Sequence, residues 1–586
     1  MSIHYHIRPA SLQRHLFEVT LTIGRPDPAG QGLWLPNWIP GSYLIRDFAK
    51  HIVTMRALDR DDNEVAVTKT AKHRWQLAPC DGPVRVIYEV YAWDLSVRGA
   101  HLDQGHGFFN GTSTFLAVAG QEAEPVRLTV TANDEAPHWQ LATALERLTG
   151  PDWGFGDFAA DDYDALIDHP VEMGDFDLIE FEACGIPHAL VLTGRHYGDQ
   201  ARLAKDLSRL CAAQIRFFGE PAPFDRYLFL TQVVGDGFGG LEHRNSTALM
   251  ISRHCLEGDG SDYQDFLALC SHEYFHSWNV KRIKPAAFIP YSLDAESHTE
   301  QLWAYEGITS YYDDLFLHKA GLVSAEQYLD RLAATLTRVQ RGAGRFKQTV
   351  TQSSFDAWTR FYQQDENAPN AIVSYYTKGA LVALALDLTL RLRTENGASL
   401  DQLMVRLWEE FGVEGIGTED DSHRTLAEQL AGSDLDEFFE LALYSTQDLP
   451  LAPLLAAFGV KLDWLPGAGE TDKGGEPGKQ RPERLTLGIR TRAENGGLKV
   501  VNVFHGGAAD RAGIAAGDQL VALDGLKILP GKLEQMVQRI GQRPAELHAF
   551  RRDELLTFEV SPLPAPRDTA VLTITEPERL QGWLRP

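Results

Sequence analysis

Basic residues are under-represented in this 586-residue chain: 55 Lys and Arg face 81 Asp and Glu, a formal net charge of −26. Such a surface repels nucleic-acid backbones and anionic lipid headgroups, which excludes both as partners. The excess acid reads as a solvated surface. Cysteine is sparse as well. Cys80, Cys184, Cys211, Cys255 and Cys270 are odd in number and lack Cys-x-x-Cys spacing, which argues against a disulfide framework or a cysteine-clamped ion. They read as free, mostly buried thiols of a reducing compartment. Cys270 stands two residues before His272, and i and i+2 do not share a helix face, so it is read as structural. No apolar run reaches membrane-spanning length, and Met1 to Pro9 lacks the apolar core of a secretory signal, which points to the cytoplasm. There is no tandem repeat.

The chain is too long for a single core and divides into roughly three to four domains. Residues 1–165 read as an N-terminal β-sandwich-like domain. Phe17 to Ile23, Val84 to Tyr91 and Val126 to Thr131 alternate with period two between turn-rich stretches. Trp34 to Tyr43, rich in aromatics and proline, reads as a packed loop. Residues 166–464 read as a mainly helical domain with a small sheet. Ala201 to Phe218 has helical spacing, Tyr227 to Val234 and Thr247 to Ser252 are strand-like, and a glycine-rich turn, Gly235 to Ser246, lies between them. Helices are expected over about Tyr263 to Trp278, Leu302 to Lys319, Leu435 to Tyr444 and Leu451 to Phe458. Capping boxes are expected at Ser324 and Ser399. A linker, 465–483, a small β-rich module, 484–565, with one helix near Lys532 to Ile540, and a tail, 566–586, with one strand-like run, Ala570 to Ile574, complete the expected multidomain α+β fold.

Ser271 to Asn279 contains His272-Glu273-x-x-His276. In a helix the two histidines stand one turn apart on one face and can reach one ion, with Glu273 beside them. A catalytic zinc takes three protein ligands and leaves one position open. Glu306, on the next predicted helix among Trp303, Ile308 and Tyr311, is the best third candidate, because a buried carboxylate needs a partner. His298, in a polar segment, competes with it. Glu273 then suits the general base, taking a proton from the metal-activated water and passing it to the leaving amine.

His272 to Pro285 and Trp303-Ala304-Tyr305-Glu306-Gly307 resemble the M61 glycyl aminopeptidase family of gluzincins. The resemblance continues through Trp38 to Tyr43 and Leu95 to Gly99 and covers most of the chain. It implies a thermolysin-like catalytic domain with one zinc per chain held by His272, His276 and Glu306. It also implies that Gly239-Gly240-Leu241-Glu242-His243 is an exopeptidase motif on the edge strand beside the zinc. The glycines let substrate backbone approach, and Glu242 binds the free α-amine. Ser374 to Gly379 resembles the family's Tyr-x-Lys-Gly element, which makes Tyr376 the donor to the oxyanion, with Tyr375 adjacent. Arg282 and Lys284 either contact a substrate carboxylate or cap the metal helix.

The C-terminal module resembles a PDZ domain through Leu485 to Ile489, Gly506 to Ile514, Ala516 to Val521 and Asp524-Gly525. Such modules add an extended peptide as a strand and hold its C-terminal carboxylate. The alternative is a module that only packs on its neighbour. The expected activity is a zinc aminopeptidase acting on peptides with a free N-terminus. By the resemblance, small first residues, Gly or Ala, are preferred. The rivals are a metallo-endopeptidase, a broader aminopeptidase, or a non-enzymatic peptide-binding scaffold.

Overall fold

The computed structural model describes residues 2–585, arranged as two compact units: Met1–Ser297 with Trp408–Gly417, and His298–Leu407 with Thr418–Pro586.

In the first unit the predicted period-two runs become strands that are buried on alternate residues. Phe17, Val19, Leu21 and Ile23 of Leu16–Ile23 point into the core, and Val84, Val86, Tyr88 and Val90 of Val84–Tyr91 oppose them in antiparallel register. These two strands sit within an eight-stranded sheet. Two four-stranded sheets contribute to the same apolar core through Leu33 and Trp75, and through Phe108 and Met173. The β-rich part runs past the expected boundary at 165. Val171–Gly174 pairs antiparallel with His106–Phe109, because a strand so short is recognisable only from its partner. Gly32–Trp34 is a short strand, and the aromatic loop follows it as expected.

A five-stranded sheet comes next, in the order Phe176–Ala183, Ile186–Thr193, Tyr227–Val234, Ser246–Ser252, Phe238–Glu242. The middle three strands are parallel, and Gln200–Phe218 is the crossover helix between the first two of them. Asp199 caps that helix, accepting from the Ala201 and Arg202 amides, and Leu203, Leu207, Leu210 and Ile215 face inward. Part of the glycine-rich stretch between the two strands is the antiparallel edge strand Phe238–Glu242, the edge position that the family resemblance implies for this motif. Two glycines mask its strand character in the sequence.

The helix Ser261–Phe275 is buried along most of its length and stops earlier than the expected Trp278. His276 is its C-cap, and Val280 at φ 103, a region β-branched residues avoid, turns the chain back. In the second unit the expected Leu302 to Lys319 helix has a widened first turn. Trp303–Gly307 is a π-turn leading into the α-helix Ile308–Lys319. Ser324 and Gln327 form the reciprocal capping box of Ala325–Arg341, and the Gln402 side chain accepts from the Ser399 amide. The expected Leu435 to Tyr444 helix is a short α-turn, Asp436–Phe439, followed by a π-turn, while Leu451–Ala457 is helical as expected.

The end of the chain differs from expectation in two ways. The segment read as a linker opens with the end of the strand Val460–Pro466, and its loop is pinned by a buried Asp472–Arg481 ion pair at 2.8 Å. The tail, 566–586, holds its expected strand-like run within the strand Arg567–Ile574, and that strand returns to pair antiparallel with Val460–Pro466. The Ala570 amide donates to Thr337 Oγ1, and Trp583 Nε1 donates to Tyr311. The module between these strands is therefore an insertion. Its main sheet is formed by Ile489–Glu494, Gly497–Val503, Gln519–Leu523, Ala545–Arg551 and Glu554–Val560 around its own core. It has two helices, Ala508–Ala512 and Leu533–Ile540, rather than one. Among the described residues no helix is long and apolar enough to cross a membrane.

Candidate active site

In the first unit His272 and His276 stand one turn apart, as i,i+4 spacing requires, with ring centroids 4.6 Å apart and planes nearly perpendicular. His276 is 1% exposed. Its Nδ1 lies 2.8 Å from the Asn279 carbonyl, a contact made possible by the turn at Val280. That contact assigns the proton to Nδ1 and leaves Nε2 as a donor for a metal. The Arg282 guanidinium donates to the carbonyls of Ser277, Arg244 and Pro223. Of its two expected roles it therefore has the structural one. Burial, with Arg244 adding to it, lowers its pKa to about 10. Lys284 lies over the Tyr291 ring, and burial, reinforced by Lys281, lowers its pKa to about 8.

The edge strand and the helix meet at Gly240. A Cβ there would lie 2.7 Å from Glu273 Cγ and closer still to its carboxylate, so this contact exists only because the residue is glycine. One donor atom each of Glu242, Glu273 and His276 lies within 4.8 Å of the others. All three residues are buried. Glu242 rests on Gly41, in the loop that resembles the family's N-terminal motif. A Cβ at Gly41 would come 2.6 Å from Glu242 Cδ, and Gly41 has φ 91. Arg98, from the second N-terminal motif, donates to the Gly240 carbonyl at 3.3 Å. Four stretches far apart in sequence thus converge here: 38–43, 95–99, 239–243 and 272–276.

Behind Glu242, Asp168 accepts from Lys281 Nζ at 2.6 Å and from the Arg244 amide at 3.0 Å, and lies 3.5 Å from His243 Nδ1. Burial opposes the ionised form of Asp168, but Lys281 and then Arg244 hold it well below the ordinary carboxylate range. This pair ties the residues after Glu242 to the turn after His276. Neither Asp168 nor the support given by Gly41 was visible in sequence, because each acts through a contact across many tens of residues.

In the second unit Glu306 sits on the π-turn and is 1% exposed. The turn packs against the start of the Thr377–Arg393 helix at Gly307 and Gly379. Tyr376 is that helix's N-cap and stacks on Phe361 at 5.5 Å. Burial, then Glu306, pushes its phenol well above the ordinary range, so it is a proton donor at neutral pH. Tyr375 is fully buried, whereas Tyr376 keeps partial exposure. His298 is exposed, with Nδ1 at 2.9 Å from the Phe355 carbonyl, and joins no group of metal-spaced donors among the described residues. The five cysteines are free, and burial raises the Cys270 thiol well above its usual pKa, consistent with a structural role.

Residues 4–175 match the Peptidase M61 N-terminal domain, and residues 265–382 match the M61 glycyl aminopeptidase family. No curated protein sequence matches the chain. A crystal structure of an aminopeptidase N family protein from Idiomarina loihiensis is 50% identical and covers 100% of both chains, with a TM-score of 0.97. An M1 zinc metallopeptidase from Deinococcus radiodurans is 15% identical over 76% of this chain and 95% of its own, with a TM-score of 0.47. Yeast LTA4 hydrolase bound to bestatin is 14% identical over 77% and 68%, also at 0.47. These last two similarities carry no weight for fold or function.

Proposed function

The chain belongs to the M61 glycyl aminopeptidase family and is a zinc metallopeptidase, and from that premise we propose how it selects and cuts its substrate. It removes the first residue of peptides with a free N-terminus, and by family likeness that residue is small, Gly or Ala. The observation that carries this reading is the convergence of Glu242, Glu273 and His276 within 4.8 Å. Two buried carboxylates beside one imidazole make an acidic pocket that suits a substrate ammonium and a metal.

The donors suit zinc: His276 offers Nε2, and His272 offers a second imidazole one turn away. Glu306 is proposed as the third ligand from the Trp303 to Gly307 motif and from its burial in its own unit. These residues would hold a zinc ion, which would supply Lewis-acid polarisation of the scissile carbonyl and a lowered pKa for water. Glu242 pairs with the substrate α-ammonium and sets the cut one residue in. Glu273 accepts the proton from the attacking water as its oxygen bonds to the carbonyl carbon, and delivers it to the amine nitrogen as the C–N bond breaks. Tyr376 donates its phenolic hydrogen bond to the oxyanion. Gly239 and Gly240 leave the edge strand open to substrate backbone. The inserted module is proposed as a PDZ domain that takes peptide C-termini along the edge strand Ile489–Glu494. The free thiols favour a cytoplasmic setting.

Glu242→Ala tests the assignment. A lost charge-assisted contact, about 1.5–3 kcal/mol, lowers kcat/KM on Gly- and Ala-amide reporters about 10- to 100-fold. If the variant keeps wild-type rates, or if the wild-type chain cuts N-blocked peptides equally well, the exopeptidase reading fails and an endopeptidase replaces it.

A further inference from the structure

Three short strands of the N-terminal region, Ala100–Leu102, His106–Phe109 and Val171–Gly174, lie side by side in one sheet. Phe108 opposes His101 on one side and Glu172 on the other. Directly opposed residues share a face, and His106 shares it too, two residues from Phe108. The register therefore gathers two histidines and a carboxylate on one face. Asp103 adds a second carboxylate from the turn. Its Oδ1 accepts from the Gly105 amide at 2.6 Å and the His106 amide at 3.0 Å, which holds Oδ2 3.3 Å from His101 Nε2.

One donor atom each of His101, Asp103 and His106 lies within 4.8 Å of the others. His106 Nδ1 is 3.0 Å from Glu172 Oε1. With Nδ1–H donating to that carboxylate, Nε2 is the nitrogen left to bind an ion, the arrangement found around metal-bound histidines. Two buried polar atoms around this cluster have no partner among the described residues. Glu172 is 1% exposed and its Oε2 has no hydrogen-bond partner among the described residues, and His101 Nδ1, in a residue 3% exposed, also has none. A buried carboxylate is costly without a nearby positive charge. Trp93 walls one side, stacked on His101 at 5.0 Å, while the Asp103 side chain keeps 31% exposure and leaves a route to solvent.

We propose that His101, Asp103 and His106 form a second divalent-metal site, with Glu172 orienting His106 and solvent completing the coordination. Two imidazoles and one carboxylate favour zinc and neighbouring late transition ions over calcium or magnesium. The ion pins the hairpin that directly follows Arg98, the residue whose guanidinium holds the Gly240 carbonyl.

The test uses the full chain carrying His272→Ala and His276→Ala, so that its result does not depend on the peptidase assignment. Titrated with Co2+, this variant should bind one ion and develop a visible d–d absorption. Adding His106→Ala should abolish both. Glu172→Gln leaves all three donors in place and should weaken Co2+ binding about 10- to 100-fold, with unchanged circular dichroism. His101→Gln in the otherwise native chain should lower the metal content by one ion per chain. If the chain lacking both metal-helix histidines takes up no Co2+, or if uptake survives His106→Ala, the site does not exist.

Discussion

Replacing Gly240 with alanine would put a methyl group where the Glu273 side chain lies. The new carbon would stand 2.7 Å from Glu273 Cγ. Ordinary carbon–carbon contact is about 3.5–4.0 Å, so the arm carrying the proposed base must withdraw by about 1 Å. The backbone has no objection of its own. Gly240 is not in the left-handed region, and alanine there removes unfolded-chain freedom worth about 0.4–1 kcal/mol. The expected variant therefore folds, melts close to the parent and retains zinc, but fails in chemistry. A displacement of about 1 Å at a reacting group costs about 10²-fold, or about 2.7 kcal/mol, and here it falls on kcat. Gly239→Ala is the companion, since a Cβ there meets nothing within 4 Å. Its φ of 158 disfavours a residue with a side chain, so a loss from substrate approach is one that falls on KM while the melt stays unchanged. Steady-state kinetics on Gly- and Ala-amide reporters, with thermal melts and metal content, separates the two. If Gly240→Ala keeps kcat within a few-fold, the Gly240–Glu273 contact does not position the base and the reasoning is wrong.

Tyr376→Phe should lower kcat about 10²- to 10³-fold with little change in KM, while Tyr375→Phe leaves kcat near the parent value. Equal effects would overturn the assignment of the donor. Asp168→Asn leaves Lys281 charged and buried, and should cost about 3–5 kcal/mol in denaturant unfolding. The double variant Asp168→Asn, Lys281→Met should recover part of that, and no recovery would count against the pair. His188 is buried, with Nε2 2.8 Å from the Tyr274 hydroxyl, and burial lowers its pKa to about 4. The unfolded chain binds that proton first, so the stability His188 contributes is full above about pH 6.5 and declines as pH falls towards 4, by up to about 3 kcal/mol. Denaturant midpoints of the parent and His188→Phe between pH 7 and 4.5 check this. The same slope in both would remove His188 as its source.

Interactions between near neighbours left their marks in the sequence. Helical spacing put His272 and His276 on one face, period-two alternation marked Leu16–Ile23 and Val84–Tyr91, and the Ser324–Gln327 cap was readable three residues apart. Each is a short-range steric or hydrogen-bonding preference, so composition and spacing suffice to reveal it. The roles proposed for Glu242 and Tyr376 rest on family likeness rather than spacing. What remained hidden depends on partners remote in the chain. Gly41 cradles Glu242, Gly240 admits Glu273, and Asp168 holds Lys281. The strand character of Ala570 to Ile574 was legible, but its partner was not, because the pairing strand lies on the far side of the inserted module. That His272 and His276 share one face was set by local helical geometry. Which carboxylate faces which glycine, and where the chain's end returns, was decided by sheet register and burial, which act between segments and leave no local period to read.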